Sequence, residues 1–171
     1  MRFGLIADSH DHIGHIRLAA GLFREYGTEL VVHAGDMVSP AALLPLEGLP
    51  LAGVLGNNDG EVAGLRSIFA RFGGQLEREV LVREIEGGRL AAYHGTSPVI
   101  REALVACGLY RFVVTGHTHR PLSRKHGPTW HLNPGSAHGF GGEATVMVVD
   151  TADSEPAELI RLVPPNRPAG R

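Results

Sequence analysis

Short apolar runs bounded by turn residues dominate the first third of the chain. Residues 2–7, 29–34 and 51–55 are runs of this kind, and a polar residue follows closely after each. Apolar runs of this length are typical of buried strands in an α/β sheet. We therefore predict three strands here, each ending at a candidate functional side chain.

Four segments have the patterns of helices. They are residues 12–26, 40–47, 61–72 and 97–107. In the first and third, apolar side chains recur every three or four positions, and a glycine follows at Gly27 and Gly73. The second and fourth begin with serine followed by proline, so we expect Ser39 and Ser97 to be N-caps.

The second half of the chain predicts mostly strands. Gly87-Gly88 separates two strand-like runs, which indicates an antiparallel hairpin. The predicted strands are residues 80–86, 89–93, 112–115, 122–125, 129–132, 144–149 and 158–163. With no repeat or linker in view, we expect a single α/β domain over residues 1–163 and a loose tail over residues 164–171.

Composition narrows the class of protein. The chain has 171 residues, a formal net charge of -2 and 43% hydrophobic residues, so it lacks the basic surplus of nucleic-acid-binding proteins. The most apolar longer stretch, residues 43–56, is too short and too interrupted to span a bilayer. The first strand begins at Arg2, which leaves no room for a leader, and Cys107 has no second cysteine to pair with. We expect a cytoplasmic protein without a membrane partner.

Five short segments carry candidate metal ligands. They are Asp8-Ser9-His10, Gly35-Asp36, Gly56-Asn57-Asn58-Asp59, His94-Gly95 and Gly116-His117-Thr118-His119. Each alone has a simpler explanation, such as an aspartate in a turn or a histidine on the surface. In open α/β sheets, however, ligands collect beyond the carboxyl ends of strands, which is where these segments fall. We therefore expect the five segments to meet in one site.

Together the segments supply two aspartates, four histidines and an amide, enough for two adjacent metal ions. Mixed oxygen and imidazole ligands suit transition metals. The donor types do not choose among manganese, iron, zinc, nickel and cobalt; we take manganese as the first expectation. A carboxylate such as Asp36 can bridge two ions about 3.5 to 4 Å apart, with a hydroxide between them for in-line attack at phosphorus.

In these segments the chain resembles the calcineurin-like metallophosphoesterase family, and Asn133-Pro134-Gly135-Ser136 extends the likeness to its small prokaryotic phosphodiesterase branch. The resemblance implies an α-β-β-α sandwich of two mixed sheets flanked by helices. It assigns Asp8, His10, Asp36 and His119 to one ion, and Asp36, Asn57, His94 and His117 to the other.

Two positions depart from that pattern. Many family members have a histidine in place of Asn58; it is taken as the acid that protonates the leaving group, oriented by the acidic neighbour matched here by Asp59. Asparagine cannot donate a proton as an acid, so the source of this proton is open. Relatives also commonly carry an arginine soon after Ser136, and His138 is a possible replacement for it.

The resemblance implies an enzyme that hydrolyses phosphoesters, with a phosphodiesterase as the leading hypothesis. A phosphomonoesterase or nucleotide pyrophosphatase would share the same motifs. A protein-interaction scaffold is the alternative from another class, because a retromer subunit with a degraded metal site shares this fold. The complete ligand set disfavours the scaffold. We expect a small phosphoester substrate, no extended nucleic-acid surface, and a site that is either open or completed by a second subunit.

Overall fold

The computed structural model describes residues 1–140 and 142–163. Within these residues it contains three α-helices, α1 (Ile13–Glu25), α2 (Val62–Arg71) and α3 (Pro98–Ala106), and a 3₁₀ helix at Pro40–Leu46. The strands are β1 (Arg2–Ile6), β2 (Leu30–His33), β3 (Leu51–Val54), β4 (Gln75–Glu77), β5 (Val80–Ile85), β6 (Gly88–Tyr93), β7 (Phe112–Val114), β8 (Leu122–His126), β9 (Thr129–Asn133), β10 (Thr145–Asp150) and β11 (Ala157–Arg161). The tail that we expected to be loose, residues 164–171, lies outside the described residues, and the single domain stays a prediction.

The strands form two mixed sheets. The first has the order β11-β10-β1-β2-β3-β4, with β1 to β4 parallel. The second has the order β5-β6-β7-β9-β8, with β6, β7 and β9 parallel and antiparallel strands at both edges. Parallel neighbours place the carboxyl ends of their strands on the same side, so each sheet presents one functional edge.

Apolar side chains fill three interfaces between the layers. The first sheet packs against the second through a central core, where the rings of Phe3 and Phe112 meet edge to face at 5.4 Å. On the outer side of the first sheet lie α1, α2 and the 3₁₀ helix, anchored by side chains such as Phe23 and Phe69. On the outer side of the second sheet, Val105 of α3 packs against Val113. The expected α-β-β-α sandwich is therefore confirmed.

Two local predictions need correction. Residues 75–77 form the edge strand β4, which the sequence analysis did not predict because three residues are too few to show a period. Residues 40–46 form a 3₁₀ helix, and the Ser39 side chain does not cap it. The Ser39 hydroxyl instead donates a hydrogen bond to the Asp11 carboxylate, so it is not available to cap the helix. Among the described residues, the helices are all too short or too polar to cross a membrane.

Candidate metal centre

Five strand ends bring the candidate ligands together. Asp8, Asp36 and Asn57 follow β1, β2 and β3 of the first sheet, while His94 and His117 follow β6 and β7 of the second. Hydrogen bonds join the loops: the Asp8 amide donates to the Gly35 carbonyl, and the His117 amide donates to the Asp8 carboxylate at 3.0 Å. The site therefore lies where the functional edges of both sheets meet.

The backbone of this site is unusual. Asp8, His10, Asp36, His117 and His119 all have positive φ, between 40° and 66°. Side chains other than glycine rarely adopt this left-handed conformation, and such residues cluster at functional sites, where surrounding structure holds them in place. The concentration of five in one site indicates loops shaped to aim side chains inward.

Asp8, His10 and His119 form the first group of ligands. One potential ligand atom from each lies within 4.8 Å of the others. His119 Nε2 is 3.3 Å from Asp8 Oδ1, and His10 Nε2 is 3.5 Å from Asp36 Oδ2. The four residues that the resemblance assigns to the first ion therefore lie close together: Asp8, His10, Asp36 and His119.

Asp36, Asn57, His94 and His117 form the second group. His94 Nε2 lies 3.1 Å from Asn57 Oδ1 and 3.5 Å from Asp36 Oδ2, and the rings of His94 and His117 have centroids 5.2 Å apart. One potential ligand atom from each of Asp8, Asp36 and His94 also lies within 4.8 Å of the others, so both aspartates lie between the two groups. The exposed side chains Asn57 and His117 leave this side open to solvent.

The donor chemistry fits divalent cations. His94 Nδ1 lies 2.7 Å from the Ala34 carbonyl, which can only accept, so Nδ1 carries a proton. Without a cation Nε2 can donate to Asp36, and with one it would be the nitrogen left free to coordinate. That nitrogen faces the oxygens of Asn57 and Asp36, an arrangement a cation would stabilise. His10 Nε2 is buried and makes no hydrogen bond. An unpartnered buried nitrogen next to two carboxylates is best explained by a ligand that it can coordinate.

Glycines allow the loops to approach the carboxylates. A Cβ atom at Gly116 would lie 2.8 Å from Asp8 Oδ2, and one at Gly56 would overlap the Asp36 carboxylate. Both distances are too short for a side chain, so only glycine fits. The glycines of these motifs are therefore part of the site's construction.

The pKa values of Asp36 and Asp8 shift in opposite directions. Burial alone would raise the pKa of Asp36, but hydrogen bonds from His94 and Asn58 outweigh it and hold the pKa below its ordinary value. Burial lowers the pKa of His117 and of His119, which favours the neutral imidazole that binds metals. In the metal-free protein, Asp36 is thus ionised while these two histidines stay neutral.

Asp8 shows the opposite behaviour, because burial raises its pKa to about 7. A carboxyl group whose pKa is raised on folding favours the folded state below its unfolded pKa, and that advantage is lost as the pH rises through the folded value. We therefore expect Asp8→Asn to stabilise the metal-free protein at pH 8 by roughly 2 to 4 kcal/mol, since each unit of pKa corresponds to about 1.4 kcal/mol.

Urea denaturation of both metal-free proteins at about pH 8 and about pH 4, where the Asp8 carboxyl is protonated, measures this difference. The difference in the free energy of unfolding between the two proteins should nearly vanish at the lower pH. An equal difference at the two pH values would contradict the conclusion that Asp8 is a buried charge at pH 8. An Asp8→Asn protein that is less stable than wild type at pH 8 would contradict it as well.

Asp59 and Asn58 occupy positions that the sequence analysis did not foresee. The Asp59 carboxylate accepts four backbone N–H bonds, from Asp36, Met37, Val38 and Gly56, at 2.7 to 3.0 Å. All its lone-pair positions are taken, and none of these bonds comes from Asn58. Asn58 instead donates its side-chain amide to Asp36 Oδ2 at 2.7 Å and its backbone amide to Oδ1 at 2.9 Å. In this structure both residues hold the Asp36 loop.

Three further residues support the ligand loops. Asn133 donates to the Gly116 carbonyl at 2.8 Å, and Ser136 donates to the Asp8 carbonyl at 3.0 Å. Their motif was recognised in the sequence, but these contacts were not. His33 is fully buried, and its Nδ1 accepts from the Gly35 amide, so it braces the turn before Asp36.

An aromatic wall covers the histidine side of the site. Phe140 stacks on His138 at 3.6 Å and on His119 at 5.8 Å, and it meets the His10 ring edge-on at 5.0 Å. Phe140 is 47% exposed. The sequence offered no signal for this residue, because its importance depends on where the loop after Ser136 folds back. The suggested substrate contact of His138 stays a prediction.

Comparisons with known proteins agree with this geometry. Residues 1–154 match the calcineurin-like phosphoesterase superfamily domain. A phosphodiesterase from Methanocaldococcus jannaschii is 30% identical over 164 residues, covering 94% of this chain and 99% of that protein. A probable metallophosphoesterase from Methanothermobacter thermautotrophicus is 34% identical over 146 residues, covering 80% of this chain and 77% of that protein.

A solved structure gives the same result. That of an archaeal phosphodiesterase superposes with a TM-score of 0.89 at 29% identity, covering 95% of this chain and the whole of that one. The same family is indicated by the fold, by the match over residues 1–154 and by the relative that aligns over nearly its whole length. The chain therefore belongs to the calcineurin-like phosphoesterase superfamily, as its ligand motifs led us to predict.

Proposed function

We propose that this metal-dependent phosphoesterase is a phosphodiesterase with two divalent cations in its site. One observation carries the proposal: seven potential ligands from five loops converge, two of them buried aspartates and one a histidine with an unpartnered nitrogen. The phosphodiesterase relative that spans nearly the whole chain supports the same reaction. When bound, the cations would lower the pKa of a water nucleophile and offset the charge of the phosphate.

The chain's own residues give this site its order. Asp36 lies between the two groups of ligands, and its ionised carboxylate can serve both. Asp59 and Asn58 fix its loop and its side chain, so the charge is positioned before substrate arrives. Preorganised charge of this kind stabilises a transition state without reorganisation during the reaction. The mixed donor set admits manganese, iron, zinc, nickel and cobalt, and manganese is our first choice for the assays.

Leaving-group protonation is the weak point of this site. Asn58 has no acidic proton, and its amide is already bonded to Asp36. Loss of a general acid typically slows hydrolysis by about 10² to 10⁴, with the smallest loss for leaving groups that depart without a proton. Activated aryl esters are therefore the substrates on which activity should be sought.

The experiment compares an activated aryl phosphodiester with the matching monoester, with added Mn²⁺ and after chelation. We expect kcat/KM for the diester to exceed that for the monoester by at least about tenfold, and chelation to remove both activities. Activity that survives complete metal removal, or none with any transition metal tested, would refute the proposal. Preference for the monoester would favour the phosphomonoesterase alternative.

A pocket of about 390 Å³ adjoins the second group of ligands. Asn57 and His94 line one end, and Tyr93, Arg78 and Glu79 are among the residues that line the rest. Arg78 is exposed and makes no ion pair within the described part of the chain. We propose that its guanidinium contacts the substrate phosphate, the task that the sequence analysis left open after Ser136.

Replacing this side chain should affect binding more than turnover. We expect Arg78→Ala to raise KM for the aryl diester by about twofold to fivefold, because an exposed ion pair contributes up to roughly 1 kcal/mol. The kcat should change by less than about threefold, since Arg78 is not among the ligands. Arg66→Ala removes a comparable exposed arginine from α2 and should leave both constants unchanged. A fall in kcat at constant KM would assign Arg78 a different role.

A further inference from the structure

A second cavity, of about 1170 Å³, lies between α3 and the β8–β9 hairpin, and we call it the α3–β8 cavity. None of the seven candidate ligands lines it. Thr118 and Arg120 form one end of it, and they flank His119 in the loop after β7. The cavity is therefore separate from the proposed metal centre but shares a loop with it. Its volume is slightly above the usual range for small-molecule sites, which is about 300 to 1,000 Å³.

The cavity exists because a helix covers only part of the second sheet. Strand β8 is the edge of that sheet, and α3 packs on Ala91 of β6 and Val113 of β7 and also contacts β9. Arg124 of β8 is paired with His131 of β9, so the two side chains share one face. Both residues line the cavity.

The residues that line the α3–β8 cavity carry a positive net charge, although the chain as a whole is negative. Arg101, Arg120 and Arg124 line the cavity, and Glu102 is the only acidic residue among the described residues that line it. Arg101 is 3.2 Å from Glu102, whereas neither Arg120 nor Arg124 has an ion pair or a side-chain hydrogen bond to any described residue. The chain as a whole carries a formal charge of -2. Two free guanidiniums in one concave surface favour an anion, and phosphate is a group that they bind in bidentate fashion.

Other lining groups suit the rest of an organic ligand. Val105 and Leu122 offer apolar surface from opposite walls, and Pro121 and Pro128 extend it. His131 is 9% exposed and holds its Nε2 3.0 Å from the Thr115 hydroxyl, so its ring orientation is fixed. Apolar walls with a few placed polar groups are the common composition of small-molecule sites.

We propose that the α3–β8 cavity binds an organic phosphate of nucleotide size, with its phosphates on Arg120 and Arg124 and its apolar part between α3 and the hairpin. The occupant is an anion because of the free arginines, and it is organic because inorganic phosphate would leave the apolar walls empty. This site is independent of the proposed hydrolysis, since it uses no metal and none of the candidate ligands.

The test is calorimetric titration of the full chain with ADP in metal-free buffer, where hydrolysis does not interfere. Wild type and Asp36→Asn should bind ADP with the same affinity, within about threefold. Arg120→Ala with Arg124→Ala should weaken binding at least about tenfold, the loss of about 1.4 kcal/mol. Ala106→Trp keeps every charge and fills the space from α3, and it should weaken binding to a similar degree. Circular dichroism checks that each variant is folded.

Arg17→Ala is the matched control, because it removes an exposed arginine from α1 on the opposite side of the sandwich. Its affinity for ADP should equal that of wild type. The proposal is overturned by a wild type that does not bind ADP at about 1 mM, by an equal loss in Arg17→Ala, or by unchanged affinity in Ala106→Trp. Binding that disappears in Asp36→Asn while surviving loss of Arg120 and Arg124 would place ADP at the metal centre and also refute the proposal.

Discussion

Replacing Asp36 by asparagine should reduce hydrolysis of an aryl phosphodiester at least about 10³-fold, a loss of roughly 4 kcal/mol of transition-state stabilisation. Asp36 is 1% exposed and lies within 3.5 Å of both His10 and His94, one from each group of ligands. An amide of the same shape has no charge and only one oxygen, so it cannot serve two cations. Steady-state kinetics with saturating Mn²⁺ measures the effect.

The prediction also has a readout that does not depend on turnover. Mn²⁺ should raise the Tm of the wild-type protein, because a ligand that binds only the folded state stabilises it. The Tm of Asp36→Asn should rise much less. Asp153→Asn makes the same substitution on an exposed turn after β10 and should match wild type in both measurements. More than a tenth of the wild-type activity in Asp36→Asn would contradict the bridging position.

The positions of the candidate ligands were predictable because they depend on strand ends, and strand ends are visible in sequence. Apolar runs ending before Asp8, Asp36 and Asn57 sufficed to place these residues on one edge of a sheet. The parallel order of β1, β2 and β3 then brought them together, as the rule for open sheets requires. The resemblance added the assignment to two ions, which periodicity alone would not provide.

The supporting contacts were not predictable, because they depend on how loops fold over one another. Asp59 is separated from the amides of Met37 and Val38 by more than twenty residues, and nothing in the sequence shows that β3 brings its loop alongside. Phe140 likewise reaches His119 only because its loop turns back across the site. The edge strand β4 was missed for a different reason, since three residues carry too little pattern.

The contacts of Asp59 also revise how its motif is understood. In family members with a histidine at the position of Asn58, the resemblance implies that the residue matched by Asp59 orients it as the leaving-group acid. In the structure its carboxylate instead ties the amide of Gly56 to three consecutive amides of the loop that carries Asp36. We propose that Asp59 is a positioning residue: it holds the two loops at the separation at which Asp36 and Asn57 can reach their cations.

We expect Asp59→Asn to lower the free energy of unfolding by about 2 to 5 kcal/mol. Hydrogen bonds to a buried charged group contribute about 1.5 to 3 kcal/mol each, and an unsatisfied buried donor costs about 1 to 3 kcal/mol. An asparagine oxygen can retain two of the four bonds, whereas its NH₂ group faces two N–H donors and repels them. Urea denaturation of the metal-free protein measures the loss, which removes any contribution from bound cations.

Asp11→Asn is the matched control, because Asp11 is an exposed aspartate that accepts two bonds from Ser39 at 2.8 Å on the same rim. Asp11→Asn should lower the free energy of unfolding by less than about 1 kcal/mol. A positioning role further requires that Asp59→Asn bind Mn²⁺ about 10 to 100 times more weakly at a temperature where it is fully folded, as is typical for partners of metal ligands. Wild-type metal affinity in a destabilised Asp59→Asn would reduce Asp59 to a fold-stabilising residue, because loops held at the wrong separation cannot leave the affinity of Asp36 and Asn57 unchanged.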